Sequence, residues 1–332
     1  MIAVPGLMLI NLLMIWGLDR SLFWRQLLFW IVGFAIYFGV KKIGRKNLFK
    51  WNKYIYLATI LFLGLPLIFG RVVRGSMRWI NIAGFSFQPS EIAKPVILGW
   101  LSNYLSQEGI GNFLEYLIDL SLIGLPCFLI LMQPDLGSAG VIFISLIILL
   151  FFKKPKIQWW GPLIIIGLIF IAFSWNRLLQ PYQIDRISSF LHPGHDPLGK
   201  GYNQIQAKIA IGAGGWLGRG FGLGRQTQLA FLPEKQTDFI IAAIGEELGF
   251  IGILFTLGFY LYFFLWMVKK IRETSQGEDY NYRLGLFILL FLQTSFNIGM
   301  NLQLFPVVGL PLPLLSYGGS SLISTLFGLG MF

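Results

Sequence analysis

Charge is what this sequence has least of. Asp, Glu, Lys and Arg make up 12% of its 332 residues while hydrophobic residues make up 55%, which overrides the two-soluble-domain prior that the length alone would suggest. Acidic residues are the scarcer sign, 15 against 26 Lys and Arg. Cysteine occurs once, as Cys127 in an apolar run, which excludes an intrachain disulfide and a cysteine metal cluster. The only two histidines, His192 and His195, argue against a histidine metal site. There is no Walker loop, dinucleotide fingerprint, HExxH or GxSxG pattern. Nucleotide energy is therefore disfavoured, and any bond made has to draw on an activated substrate.

What is present is a succession of apolar runs, each long enough for a helix crossing a hydrocarbon core of about 30 Å. They lack the alternating ten-residue pattern of a membrane β-barrel. The expected fold is an all-α polytopic membrane protein of about ten spans: 1–17, 22–40, 54–70, 88–105, 115–132, 137–152, 158–175, 238–267, 284–304 and 312–331. The first run has no basic leader and no small-residue cleavage site, so it is expected to be a retained span. One transmembrane domain, 1–332, is expected, with a large extracytoplasmic loop at about 176–237.

Orientation follows from Lys and Arg in the short loops. Lys41, Lys42, Arg45, Lys46, Lys50 and Lys53 follow the second span. Lys153, Lys154 and Lys156 follow the sixth, and Lys269, Lys270, Arg272 and Arg283 the eighth. With ten spans these fall on one side, the cytoplasm, together with both termini. The outer face then receives 71–87, 133–136, 176–237 and 305–315. Within the long loop, Ile205, Ile209 and Ala213 share one helical face beside Gln204 and Lys208, which predicts an interfacial amphipathic helix over 202–213. GAGGWLGRGFGLGR (212–225) reads as a turn region where backbone adopts positive φ or approaches closely.

Three constellations could carry chemistry. Arg78, Glu91, Lys94, Asp135, Lys200, Lys208, Glu234, Asp238, Glu246 and Glu247 form an outer ring of ionisable residues, costly in spans and expected to face a cavity and a partner. Asp238 stands where FLPEKQTDF runs into an apolar stretch; a helix cap is the plain explanation, and a general base the functional one. FQPSEIAKP (87–95) and FPVVGLPLPLLSYGGSS (305–321) read as proline-marked breaks, tolerated at membrane depth only when buried in protein or lining a cavity.

RWINIAGFSFQPSEIAK (78–94), QPDLGSAGV (133–141), YQIDRISSFLHPGHDPLGKGYNQIQAKIAIGAGGWLGRGFGLG (182–224), FLPEKQTDFIIAAIGEELGFIG (231–252) and NIGMNLQLFPVVGLPLPLLSYGGSS (297–321) resemble the SEDS proteins, the RodA/FtsW family. The resemblance covers residue 20 to the end. It implies a peptidoglycan glycosyltransferase that polymerises lipid II, the undecaprenyl-linked disaccharide peptide, at the outer face of the bacterial cytoplasmic membrane. It places the family's acid on Asp238, as base for the acceptor GlcNAc 4-hydroxyl. The implied substrate-binding residues are Arg78, Gln88, Glu91, Lys94, Lys200, Gln206, Lys208, Glu234 and Ser316. Of these, Arg78, Lys94, Lys200 and Lys208 are suited to stabilise the leaving polyprenyl pyrophosphate, and Glu234 to orient an acceptor or a metal.

No cofactor is required by the sequence, although a divalent cation, Mg or Mn, is compatible with a pyrophosphate leaving group. The implied partner is a class B penicillin-binding protein, a transpeptidase; nucleic acid is not expected. Ala230, Gln236 and Gln303 depart from the family's usual acid, His and Gly, and the pattern leans to the elongation branch. The competing functions are a lipid II flippase, which needs charge reachable from both sides, and a non-catalytic scaffold for the transpeptidase.

Overall fold

The computed structural model describes residues 3–50, 52–73, 76–82, 85–106, 112–152, 181–191 and 201–332. The predicted seventh span, 158–175, and Lys200 lie outside them. Helices α1 (Ala3–Leu18), α2 (Arg20–Ile43), α3 (Arg45–Leu48), α4 (Asn52–Phe69), α5 (Pro89–Leu105), α6 (Phe113–Met132), α7 (Leu136–Phe152), α8 (Pro181–Leu191), α9 (Tyr202–Gly214), α10 (Arg225–Gln228), α11 (Ile240–Arg272), α12 (Glu278–Asn301) and α13 (Gly319–Met331) carry most of the chain. Nine of them fall on the nine predicted spans that can be compared. Of these, α2, α6, α11 and α12 are long and apolar enough to cross a membrane; four others are shorter apolar helices.

The chain divides into two compact units. One comprises residues 37–184, 271–289 and 327–332. Within it α4 packs on α5 and α6, and α7 packs on α5 and α6. Between α4 and α5 the chain forms β1 (Arg71–Val73), β2 (Ser76–Ile82) and β3 (Phe85–Phe87), an antiparallel ribbon in chain order. Ile80 pairs with Phe87, Asn81 with Ser86 and Ile82 with Phe85. The sequence reading has only an arginine-crowded loop here. Apolar alternation punctuated by Gly75 and Gly84 is a hairpin signal, and it is what that reading overlooks. The expected break at 87–95 is likewise replaced by a helix: Pro89 opens α5 at its first turn, where a missing N–H costs nothing, and the helix continues through Pro95. Arg45, expected as a cytoplasmic orientation charge, is buried, donates to Asp279 at 2.6 Å and to Ser102 at 3.2 Å, and lies over the Tyr282 ring.

The other unit comprises residues 1–36, 185–270 and 290–326. Asn11, fully buried in α1, donates to the carbonyl of Leu315 and accepts from Gln26 at 3.0 Å and Trp30 at 2.8 Å. Side-chain amides serve as interhelical links of this kind where lipid supplies no hydrogen bonds. The predicted interfacial helix forms as α9, but its buried residues are Gln204, Ala207, Ala210 and Gly214, while Ile209 is exposed. The expected apolar face is not the one packed on protein: Ile209 is exposed, as the lipid-facing side of an interfacial helix would be, and Ile205 and Ala213 are half-buried. Small residues win because α9 runs against α11: a Cβ on Gly214 would lie 1.8 Å from the Gly245 carbonyl oxygen.

The predicted span 238–267 is two helical pieces. Gly249 has φ 69° and ψ −166°, which breaks α11. Residues 239–247 are buried, whereas Phe250, Leu254, Phe255, Leu261 and Leu265 beyond the break are exposed, as a lipid-facing helix would be. The glycine-rich strand of loop enters the break. Phe250 N–H donates to Gly215 O at 2.8 Å and Ile251 N–H to Trp216 O at 3.2 Å, so the freed backbone groups are satisfied inside the protein. A Cβ on Gly249 would sit 2.3 Å from Gly218 N. Gly249→Ala should therefore lower stability by at least about 1–3 kcal/mol. The expected readout is a lower thermal midpoint in detergent; a midpoint equal to the parent's would remove the case for a glycine-dependent break.

Candidate functional site

Asp238 occupies a turn formed by residues 233–239. Phe239 N–H and Thr237 N–H both donate to the Glu234 carbonyl at 3.1 Å, and the Thr237 hydroxyl donates to Glu234 Oε2 at 2.9 Å. Glu234 itself holds φ 53°, a left-handed conformation that only the surrounding bonds justify. The Ala243 amide donates to the Phe239 carbonyl, the first bond of α11, which puts the capping position on Phe239. Asp238 lies one residue outside it, half-buried.

The backbone of Asp238 is held from α12. Asn297 and Asn301 both donate their amides to the Asp238 carbonyl, at 3.1 Å and 3.0 Å. Asn301 Oδ1 accepts from the Ala242 N–H at 3.2 Å, and Asn297 also donates to the Leu310 carbonyl at 2.7 Å. The preceding residue is held from the irregular segment 303–318: the Ser316 hydroxyl donates to the Thr237 carbonyl and accepts from Leu312 N–H, and Tyr317 N–H donates to Gln236 O at 2.8 Å. This segment is broken as the sequence suggests, with Gln303 and Leu314 at positive φ alongside Gly309 and Gly318. Ser316, proposed from sequence to touch substrate, spends its hydroxyl on the turn. Sequence reasoning missed Asn297 and Asn301. Their signal was available: two amides four residues apart, on one face of a helix in an apolar span.

Below the turn, Ala207, Ala210, Leu232, Phe239 and Ala242 form a buried apolar cluster with Ile211 and Val307 against it. It joins α9 to the start of α11. Gln204 donates to the Phe305 carbonyl at 2.9 Å; Gln206 is half-buried and Lys208 exposed on the same helix. Lys235 donates to the Thr227 carbonyl. Burial holds the Lys235 ammonium below the usual lysine range, and Glu247, Asp19 and Glu246 oppose that shift.

Glu246 and Glu247 were expected in an outward ring of charge. They are instead buried at 0% and 1% exposure, under loop backbone. Glu246 accepts from the amides of Gln226 at 2.8 Å and Thr227 at 2.9 Å. Glu247 accepts from the Gly222 amide at 3.0 Å, the Thr227 hydroxyl at 3.2 Å and Gln228 at 3.3 Å. Carboxylates so committed are structural acceptors, and the ring fails because the glycine-rich loop folds over them.

The remaining candidates belong to the other unit. Asp135 Oδ1 accepts from the Ser138 amide at 3.2 Å, at the start of α7, and Oδ2 accepts from Gln88 at 2.8 Å. The Arg78 guanidinium approaches Asp135 at 3.5 Å, with 22% of the side chain exposed. Its buried Nε lacks a hydrogen-bond partner among the described residues. Glu91 and Lys94, one helical turn apart on α5, pair at 2.6 Å with side chains 4% and 2% exposed. A pair buried this deeply is costly to break from one side, by about 3–5 kcal/mol. Arg78 thus keeps donor capacity, while the Lys94 ammonium is engaged by Glu91. Among the described residues no three His, Cys, Asp or Glu converge as a metal-ligand group.

Removal of both asparagine anchors should loosen Asp238 without altering its charge. Asn297→Ala/Asn301→Ala is expected to cost about 1–3 kcal/mol per carbonyl or amide left unsatisfied and to depress turnover more than substrate affinity. Thermal melting and steady-state kinetics on one preparation check this; unchanged turnover would show that the anchors do not serve the acid.

Comparisons with known proteins place these motifs. Residues 1–332 match the model of the FtsW, RodA and SpoVE family, described as "Cell cycle protein". Peptidoglycan glycosyltransferase MrdB of Escherichia coli K12 is 36% identical over 98% of this chain and 89% of its own length. Stage V sporulation protein E of Bacillus subtilis is 38% identical over 94% and 87%. A solved chain from work on the structural coordination of polymerization and crosslinking by a peptidoglycan synthase complex aligns with TM-score 0.83 and 31% identity, covering 99% of this chain and 94% of that one. The crystal structure of Thermus thermophilus rod shape determining protein RodA aligns with TM-score 0.73 and 27% identity, covering 99% and 92%. By the family model and these full-length relatives, the chain belongs to the FtsW/RodA/SpoVE family.

Proposed function

We propose that Asp238 is the general base of a glycan polymerase acting on lipid II at the outer face of the bacterial cytoplasmic membrane. The chain is a multi-pass membrane protein and a peptidoglycan glycosyltransferase of the family to which it belongs. Asp238 takes the proton of the acceptor GlcNAc 4-hydroxyl, whose oxygen attacks the anomeric carbon of the donor MurNAc. A C1–O4 bond forms with inversion, and the C1–oxygen bond to polyprenyl pyrophosphate breaks. The leaving group departs as the anion.

One observation carries this assignment: the acids of these motifs are not equivalent. Glu246 and Glu247 are buried beneath N–H and O–H donors, and Glu91 is paired with Lys94. Asp135 accepts from Gln88 and the start of α7. Asp238 is half-buried, outside the capping position, and its carbonyl is anchored by two amides. A base needs a carboxylate that reaches solvent or substrate on a backbone that does not move. Glu234, in the same turn, is suited to orient the acceptor.

Arg78, 22% exposed beside Asp135, is suited to the pyrophosphate role, and exposed Lys208 to the same task; Lys200 stays in the proposal on family resemblance alone. A Mg or Mn ion would ride on the pyrophosphate, which asks only one or two carboxylates of a protein, and no step is routed through it. The basic loops favour cytoplasmic termini and an extracytoplasmic segment at about 176–237 within one membrane domain. The relative named for a synthase complex of polymerization and crosslinking supports a transpeptidase partner, a class B penicillin-binding protein, for this chain too.

Asp238→Asn, purified at parental yield, should polymerise lipid II at least about a hundredfold more slowly, the smaller end of what a positioned base contributes. Glycan length on gels and polyprenyl pyrophosphate release measure it. Polymer at the parental rate would sink the base assignment.

A further inference from the structure

We infer that Glu246 and Glu247 are positioning residues for Asp238, acting through Thr227 and Lys235; this rests on the base assignment above. Both carboxylates and Asp238 stand at opposite ends of one buried helical piece, residues 239–247. Two ionisable groups at 0% and 1% exposure in an apolar span are expensive. Their donors are neither substrate nor solvent but the loop that returns to the Asp238 turn.

The path is continuous. Glu246 takes the amides of Gln226 and Thr227 on its two oxygens, at 2.8 Å and 2.9 Å, which fixes the first turn of α10. Glu247 takes the Gly222 amide at 3.0 Å and the Thr227 hydroxyl at 3.2 Å. Backbone bonds reinforce the grip from the other side: Arg219 N–H donates to Glu246 O at 2.9 Å and Gly220 N–H to Glu247 O at 3.1 Å. From this clamped segment two links reach forward. Leu232 N–H donates to Gln226 O at 2.9 Å, and the Lys235 ammonium donates to the Thr227 carbonyl. Lys235 lies inside the turn that ends at Asp238. The helix therefore holds both flanks of the loop, and the loop holds the turn.

The residue type is dictated by the donors. A carboxylate presents acceptor oxygens to both Gln226 and Thr227 amides; a glutamine at 246 presents one oxygen and would set its NH2 against an N–H. Alanine would leave a gap under a glycine-rich loop with little side-chain packing of its own. Glu246→Asp keeps both acceptors on a stem one methylene shorter.

The test uses the full chain in nanodiscs with lipid II, following amide exchange over 219–236 and steady-state kinetics across pH. Glu246→Gln should raise exchange at 222–228 and lower kcat about a hundredfold, the cost of a reacting group displaced by an ångström. KM should change far less, the ascending limb of the pH profile should move with the misplaced base, and Glu246→Asp should recover part of kcat. Lys235→Met cuts the forward link without touching the buried acids, and guards against a Glu246 variant that does not fold; it should also lower kcat, with Lys235→Arg restoring it. Raised exchange with kcat and pH profile unchanged would overturn the positioning role, as would a fully active Lys235→Met. An active Asp238→Asn would overturn the base assignment alone, whereas an inactive Asp238→Asn beside a fully active Glu246→Gln would overturn the positioning alone.

Discussion

Two asparagine amides on α12 bonded to one carbonyl, that of Asp238, are the contact on which the site depends. Hydrocarbon offers no alternative partner for a backbone oxygen or a side-chain amide, so each satisfies the other. The carbonyl belongs to a non-helical residue at the start of a buried helix, where the orphan Ala242 N–H is likewise met by Asn301 Oδ1. Satisfying it from α12 also decides where the carboxylate stands. The Ser316 and Tyr317 bonds to the preceding two carbonyls extend the same logic along the turn.

Irregular backbone in this protein occurs where protein can cover it. The break at Gly249 accepts a strand of glycine-rich loop whose carbonyls replace helix partners. The segment 303–318 supplies its carbonyls to Asn297, Gln204, Gln293 and Tyr260. Both breaks bring flexible-looking sequence under tight control: loop carbonyls meet the N–H groups freed at Gly249, and side-chain amides and a tyrosine hydroxyl meet carbonyls of 303–318. Glycine contributes by permitting the approach, and the polar side chains by making it specific.

Charge follows a similar division. The acids Glu246, Glu247 and Asp135 accept from backbone amides, and Glu91 pairs with Lys94, so each is neutralised where it lies. Asp238 is half-buried at its turn, and in the other unit Arg78 is 22% exposed beside Asp135. A glycosyl transfer to a sugar hydroxyl asks for one base, the role proposed for Asp238.

The membrane class and the approximate positions of the apolar helices were legible in the sequence, because long apolar runs are local features. Many helix ends fall near the expected span ends, because the hydrophobic length that a bilayer requires is written residue by residue, but α12 begins at Glu278 rather than 284 and α13 at Gly319 rather than 312. The ribbon over 71–87 was legible too, in alternation and glycine spacing, but was overlooked. Which face of α9 is buried was not decided by amphipathicity, since the partner surface at Gly245 rewards small side chains over large ones. Nor could a linear pattern tell Glu246 from Asp238. Both are acids beside an apolar helix, and what separates them is which N–H groups arrive from loops distant in sequence, something only the tertiary structure decides.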